Sequence, residues 1–455
     1  MEAQVTSHVT RRLDGDPASI ERGVRQLLAD KINDTMVGLW LLVPEHLRLG
    51  TWDLLQGWTG EPTARVEPRL ALQLVHEAAL CVSGVRERRY LTPKGFEVLN
   101  GLPFLATDPA VHELLNSHTV AEAQQLQVML GKIRRVSGHF SGKLLAIDPH
   151  RPLSYSRRHV RRHRKDNASK PIKTAQTFFC VDGDTHQPIC FTAASSARTV
   201  SQATPELLDM AVEILEPRPA ETLVLADTEH FTAELVDYVH LRSPFDILTP
   251  IPSQRFVQQR LRSIPPEAFT PQWAGYATAV LPYTPHNSQA GPYFELVQRT
   301  GERPEDWHFN SFFSTTDRNA VDSLTRDYPK RWHAEEFFNF HQALGWKRAG
   351  TMNQNIRYGQ MTMTLLAQAA IHQLRSRLGD TCSRWDAQHL ANAMFRGLDG
   401  DIRVLDDTIV VTYYNAPDAN LLRRHYECLP AKLQAENVDP RIPWLYDFKL
   451  DFRFR

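Results

Sequence analysis

Asp148 closes a short apolar run, Leu144–Ile147, and Asp227 closes another, Thr222–Ala226. A third acid, Glu335 or its neighbour Glu336, stands much further along, in a stretch of helical spacing. Acids brought together from separate elements are the donor set of hard cations such as Mg2+, which prefer oxygen ligands. Two such ions, roughly 3.5–4 Å apart, activate an attacking oxygen and stabilise a leaving one in phosphoryl transfer. Three carboxylates supply much of the negative charge that two dications need. Without metal they repel one another and shift their protonation. This chemistry calls for acids rather than amides. For one aspartate alone, capping of the next turn is the plain alternative. Two on adjacent strands of one sheet are harder to explain that way.

The elements that must carry these acids can be read outward from them. Leu144–Ile147 reads as a core strand that Pro149 stops. Thr174–Val181 and Pro188–Thr192 read as a hairpin around the turn residues Asp182–Thr185. Thr204–Leu215 has helical periodicity, Thr222–Ala226 is a fourth strand, Phe231–Leu241 a second helix and Phe245–Thr249 a fifth strand. The order predicts an α/β fold on a mixed sheet, with both aspartates at the carboxyl ends of strands, where such sheets bind ligands. Prolines punctuate 250–317, and Gly275–Pro282, Gly291–Arg299 and Phe309–Thr315 read there as strands of a β-rich insertion. Helices follow over Asn319–Leu344, which Pro329 kinks or divides, and over Asn353–Leu378.

Residues 1–140 read as helical, with segments up to Ile32, over Glu67–Val82, from an Asp108 cap to Leu115, and from a Thr119 cap to Ile133. The tight joint Asn116–His118 fits a helix-turn-helix as well as an ordinary helical hairpin. In the tail after Leu378, Thr408–Tyr413 reads as a strand. Ala419–Leu429 reads as a helix capped by Asp418 and stopped by Pro430, and the end from Trp444 as a strand or docking extension. The expected organisation is an N-terminal helical, DNA-binding region over 1–140, a catalytic domain over 141–378 with its insertion at about 250–317, and an extension over 379–455.

Tyr328, Arg331, Trp332 and Glu335 stand in a segment that resembles the Tyr-x2-Arg-Trp-x2-Glu signature of DDE transposases from bacterial insertion sequences. Asp148 and Asp227 resemble that family's two strand-borne acids. The resemblance covers roughly residues 140–378. It implies a ribonuclease H-like fold in which a β-rich insertion often separates the fifth strand from the acidic helix. It implies Asp148, Asp227 and Glu335 as catalytic residues and ligands of two Mg2+ ions per site, with Mn2+ as a substitute. It implies cleavage of double-stranded DNA at element ends and joining to target DNA, by a homodimer in the DNA complex. Spacing favours Glu335 over Glu336. Tyr328, Arg331 and Glu335 share a helical face. Arg331 then binds a phosphate, orients Glu335, or forms an ordinary helix pair with it; Trp332 is either packed or stacked on a base. The family often has a lysine seven residues beyond its glutamate; Gln342 stands here, leaving Lys347 or Arg348 as substitutes. A structure-selective nuclease and a noncatalytic DNA-binding descendant are the competing readings.

Formal charge balances, with 52 basic and 52 acidic residues, so only its distribution bears on nucleic acid. Between Arg151 and Lys173 stand nine basic residues, including Arg157, Arg158, Arg161 and Arg162, against Asp166 alone. This run is either a solvated face or a salt-sensitive phosphate contact. His150, His159 and His163 lack a completing ligand for a convincing zinc pattern. The five scattered cysteines form no metal motif or disulfide framework. No phosphate-binding loop or dinucleotide fingerprint supports ATP or nicotinamide dependence. No apolar run is long enough to span a bilayer, and the start carries acids and arginines in place of a signal-peptide core. The expected location is the cytosol or nucleoid, with no membrane partner.

Overall fold

The two apolar runs that lead to Asp148 and Asp227 are neighbouring strands of one nine-stranded sheet. The computed structural model describes residues 17–60, 66–82, 91, 94–154, 162–163, 170–194 and 198–455. Its chain divides into two units. One comprises 127–339 and 348–352; the other comprises 1–126, 340–347 and 353–455. These divisions cross the boundaries expected at 140 and 378, because the long helix after residue 353 belongs with the N-terminal helices.

The strands of the first-named unit are β1 (Leu144–His150), β2 (Gln176–Asp182), β3 (Pro188–Ala194), β4 (Leu223–Leu225), β5 (Asp246–Pro250), β6 (Thr270–Trp273), β7 (Tyr276–Tyr283), β8 (Tyr293–Thr300) and β9 (His308–Ser314). Their order across the sheet is β6-β7-β8-β9-β5-β4-β1-β2-β3. β1 runs antiparallel to β2 and parallel to β4, and β4 runs parallel to β5. The sheet is therefore mixed. Helix α1 (Val200–Leu215) leads from β3 towards β4, and α2 (Ala233–Arg242) leads from β4 to β5. A capping box starts α1: Thr199 Oγ1 accepts from the Gln202 amide, and the Gln202 side chain accepts from the Thr199 amide.

Strands covered on both faces read as unbroken apolar runs rather than as alternation. Leu145, Ile147 and Phe178 pack with Leu207, Leu208 and Ala211 of α1 and Val236 and Val239 of α2. Their strand neighbours Leu144, Leu223 and Leu225 belong to a second cluster with Leu248, Leu296, Phe312 and Leu324, against which Tyr328 packs. Period-two side-chain alternation separates the two sets. Truncating a fully buried residue such as Leu225 to alanine would cost about 2–5 kcal/mol.

The structure departs from the expected elements in four informative places. β1 does not stop at Pro149: pairing with β2 continues to His150 opposite Thr177, whereas pairing with β4 ends at Ala146. Pro149 is tolerated because β1 has a strand on only one side there. The β-rich segment at 250–317 is not a separate layer; β9 pairs with β5, so its strands extend the same sheet, after an unforeseen helix α3 (Arg255–Arg262). The helix expected over 319–344 is broken into turns of different pitch around Pro329, and regular α-helix is restored in α4 (His333–His341). Asp108 and Asp418 do not cap: Thr107 does so for Asp108–Ser117, and Asp418 makes no side-chain cap bond.

In the other unit, Gln354–Leu378 packs along Val66–Ala79, and Gly400–Leu405, Thr408–Tyr413 and Phe448–Phe454 lie in a five-stranded sheet. The end from Trp444 is thus partly a strand. Pro430 does not stop a helix but sits in the first turn of Leu429–Ala435, where its missing N–H costs nothing.

Candidate active site

Strand pairing sets the position of two acids. Asp148 lies opposite Phe179 in β1, beyond the point where β4 has ended. Asp227 follows β4 by two residues and caps a single tight turn, Thr228–His230: its Oδ1 accepts from the Glu229 amide at 3.0 Å and from His230 Nδ1 at 2.6 Å. Thr249 Oγ1 donates to the Asp227 carbonyl at 2.8 Å, holding its backbone to β5.

The third acid arrives from the irregular helical segment. Tyr328 packs edge-on against Phe312 and donates its hydroxyl to the Ala226 carbonyl at 3.3 Å. Arg331 then extends one guanidinium nitrogen to Asp148 Oδ1 at 3.3 Å and the other to Glu335 Oε1 at 3.2 Å. Asp148 and Glu335, remote in sequence, therefore share one cation. Glu336 does not join them; its Oε2 faces His186 Nδ1 at 3.4 Å.

The electrostatics of the three acids differ. Burial pushes the Asp148 carboxyl up to about 7; the charge of Asp227 adds to this, Arg331 opposes it, and Glu335 adds again. Burial also raises Asp227. Its hydrogen bond and charge interaction with His230, the Glu229 amide and Arg331 outweigh that and hold it below the ordinary carboxylate range. Burial pushes the Tyr328 hydroxyl up to about 12. Burial lowers Arg331, but Tyr328, Asp148 and Glu335 together leave its guanidinium above the usual value. Arg151, paired with Glu229, also lies close enough to favour the Asp148 carboxylate.

The donor set suits a divalent cation: oxygens only, more negative charge than Arg331 neutralises, and a carboxyl driven towards protonation by its neighbours. The acids are spread around Arg331 rather than gathered on a point. They form no group whose ligand atoms all lie within 4.8 Å of one another.

Trp332 is 58 % exposed, so it is not a core residue; the Arg331 guanidinium lies 5.6 Å from its ring. Arg162 is exposed on the short strand Arg162–His163. Arg157, Arg158, Arg161 and His159 lie outside the described residues. His150 stacks on Phe338 at 4.3 Å, a packing role. Lys347 is exposed in the other unit; the side chain of Arg348 is outside the described residues, while its backbone pairs with Leu153. The partnership of His230 with Asp227 was missed in the sequence, although histidine three residues after a turn-capping aspartate is a readable signal.

Among the described residues no helix is long and apolar enough to cross a membrane. No family profile and no curated protein matches the chain. Among solved structures, the chain is similar to piggyBac transposase in a synaptic complex with hairpin DNA. The identity is 12 %, the TM-score 0.41, and the match covers 80 % of this chain and 82 % of that one.

Proposed function

We propose that the chain is a DNA transposase of the DDE class, cutting element ends and joining them to target DNA. Asp148, Asp227 and Glu335 would hold two Mg2+ ions, with Mn2+ as a substitute. The observation that carries this reading is the sharing of Arg331 by Asp148 and Glu335, with Asp227 close enough to raise Asp148. The central strand order, β3-β2-β1-β4-β5 with only β1, β4 and β5 parallel, supports reading the sheet as ribonuclease H-like.

When bound, divalent ions supply Lewis acidity and lower the pKa of an attacking water or hydroxyl. The residues of the chain do the rest. Asp227, kept ionised by its bond to His230, would hold a cation without first losing a proton. Asp148, raised by burial and by Asp227, would be ionised to hold a cation in the place where Arg331 now meets it. Arg331, between Asp148 and Glu335, would meet a DNA phosphate with its planar fork. Trp332, exposed beside it, offers a stacking face for a base near the cut. We place the working protein as a homodimer on two DNA ends.

Incubation of the protein with DNA flanking its gene and Mg2+, followed by sequencing of products, tests the reading. Joined ends are expected, and Asp148→Asn should abolish them. Cleavage without joining would instead identify a nuclease. Equal, metal-independent behaviour of both proteins would identify a noncatalytic DNA-binding descendant.

A further inference from the structure

Beyond the acid centre lies a second set of donors of different chemistry. His186 stands in the turn between β2 and β3, and His333 opens α4, with Glu336 three residues later on the same helical face. One ligand atom from each of the three lies within 4.8 Å of the other two. The imidazole rings are 3.7 Å apart between centroids, inclined at 33°.

The donors are held in advance. Asp182 fastens the turn that carries His186: its Oδ1 accepts from the Thr185 amide at 2.9 Å and the Asp184 amide at 3.1 Å, and its Oδ2 from the Gly142 amide at 2.8 Å. His186 itself is left-handed, at φ +59°. Nδ1 of His333 donates to the Gly183 carbonyl. That bond fixes the tautomer and leaves Nε2 with its lone pair free, the arrangement by which a carbonyl orients a metal-bound histidine. Tetrahedral zinc bonds of about 2.0–2.1 Å put ligands about 3.3 Å apart. His186 and Glu336 already stand at 3.4 Å. All three side chains are partly exposed, leaving room for a small closure and for a water as fourth ligand.

We propose that His186, His333 and Glu336 form a transition-metal site of the zinc class, separate from the hard-cation centre at Asp148, Asp227 and Glu335. Two imidazoles and one carboxylate select Zn2+, Co2+ or Ni2+ over Mg2+. Because Glu335 and Glu336 are adjacent, such an ion would tie the β2–β3 turn to the helix that presents Glu335. It would position that acid without touching DNA. The site stands on its own donors, whether or not the transposase reading holds.

Cobalt titration of the full-length, chelator-treated protein tests it, carried out in an Asp148→Asn/Asp227→Asn background so that the acid centre does not take the ion. The expected result is a saturable visible absorption of tetrahedral Co2+ at one equivalent, displaced by Zn2+. His186→Asn, which suits a left-handed backbone, and Glu336→Gln should each weaken binding at least ~100-fold, beyond the usual loss for an outer partner. Absence of a saturable cobalt spectrum would overturn the site, as would a spectrum that both substitutions leave unchanged. Circular dichroism of the two variants verifies that the fold is retained.

Discussion

Glu295 and Asp148 are carboxylates of the same sheet, the first buried and the second half-buried, and each faces an arginine, yet their surroundings solve the problem of charge in opposite ways. Glu295, on β8, is fully buried and takes both terminal nitrogens of Arg260, one on each oxygen at 2.6 Å. One acid meets one arginine in a bidentate fork, and the geometry is closed. Asp148 has one nitrogen of Arg331, at 3.3 Å, while the other goes to Glu335 and Asp227 stands nearby. Two acids share one arginine there with a third close by, and Asp148 is pushed up to about 7. A matched pair is architecture. A surplus of carboxylate held in place by the fold favours a cation, and acids perturbed in this way cluster at functional sites.

The comparison is broken most directly by exchanging amides for acids on both sides. Asp148→Asn, Asp227→Asn and Glu335→Gln should each lower metal-dependent DNA cleavage by about 10^3-fold or more, since several kcal/mol of charge stabilisation pass through such ligands. Glu295→Gln should leave cleavage by the folded fraction near wild type. Cleavage rates normalised to folded protein check this, and an equal loss in Glu295→Gln would remove the distinction.

The next effect is on stability against pH without metal. The folded pKa of Asp148 lies above its unfolded value, so the native state holds the proton that the unfolded chain has lost. Stability is then highest below the unfolded pKa of 3.8 and falls as pH rises towards about 7, by on the order of 1 kcal/mol per pH unit. Asp148→Asn should flatten that fall. Urea midpoints at pH 5 and pH 8, in chelator, measure it; parallel curves for the two proteins would contradict the assignment.

The two arginines should separate as well. Arg260→Leu leaves a buried acid without its fork and should cost about 1–3 kcal/mol in urea unfolding, moderated because Arg260 itself is 40 % exposed. Arg331→Met removes a competitor for the cation. Without DNA it should bind Mn2+ several-fold more tightly while cleaving DNA more slowly, as calorimetry and a cleavage assay would show. The smallest change in stability belongs to Trp332→Ala, expected within about 0.5 kcal/mol of wild type. Its DNA-end affinity should nonetheless fall about tenfold if the ring stacks on a base, as a fluorescence-anisotropy titration would reveal.

Much of the sheet was legible because its central strands are apolar on both faces and stand between good turn and cap signals. The turn Asp182–Thr185 is an example; the Thr199–Gln202 cap went unread, and α1 begins at Val200, ahead of the expected Thr204. What escaped has tertiary causes. β1 runs through Pro149 because β4 ends early, a fact of pairing rather than of local propensity. The strands of 270–314 join the main sheet through β9 and β5, which no local pattern encodes. The acids could be named from spacing and resemblance, but neither Arg331 as their shared cation nor His230 as the partner of Asp227 followed from residue types alone. The pairing of His186 with His333 depends on a turn and a helix meeting across the fold, which is why the histidines singled out from the sequence were others.

Counting Mn2+ bound at pH 8 by electron paramagnetic resonance tests the acid centre most directly, using His186→Asn protein so that the second site does not contribute. We expect two ions to bind when a DNA end is present, with uptake at this centre lost on combining Asp148→Asn, Asp227→Asn and Glu335→Gln. Equal Mn2+ binding with and without the three acids would contradict it.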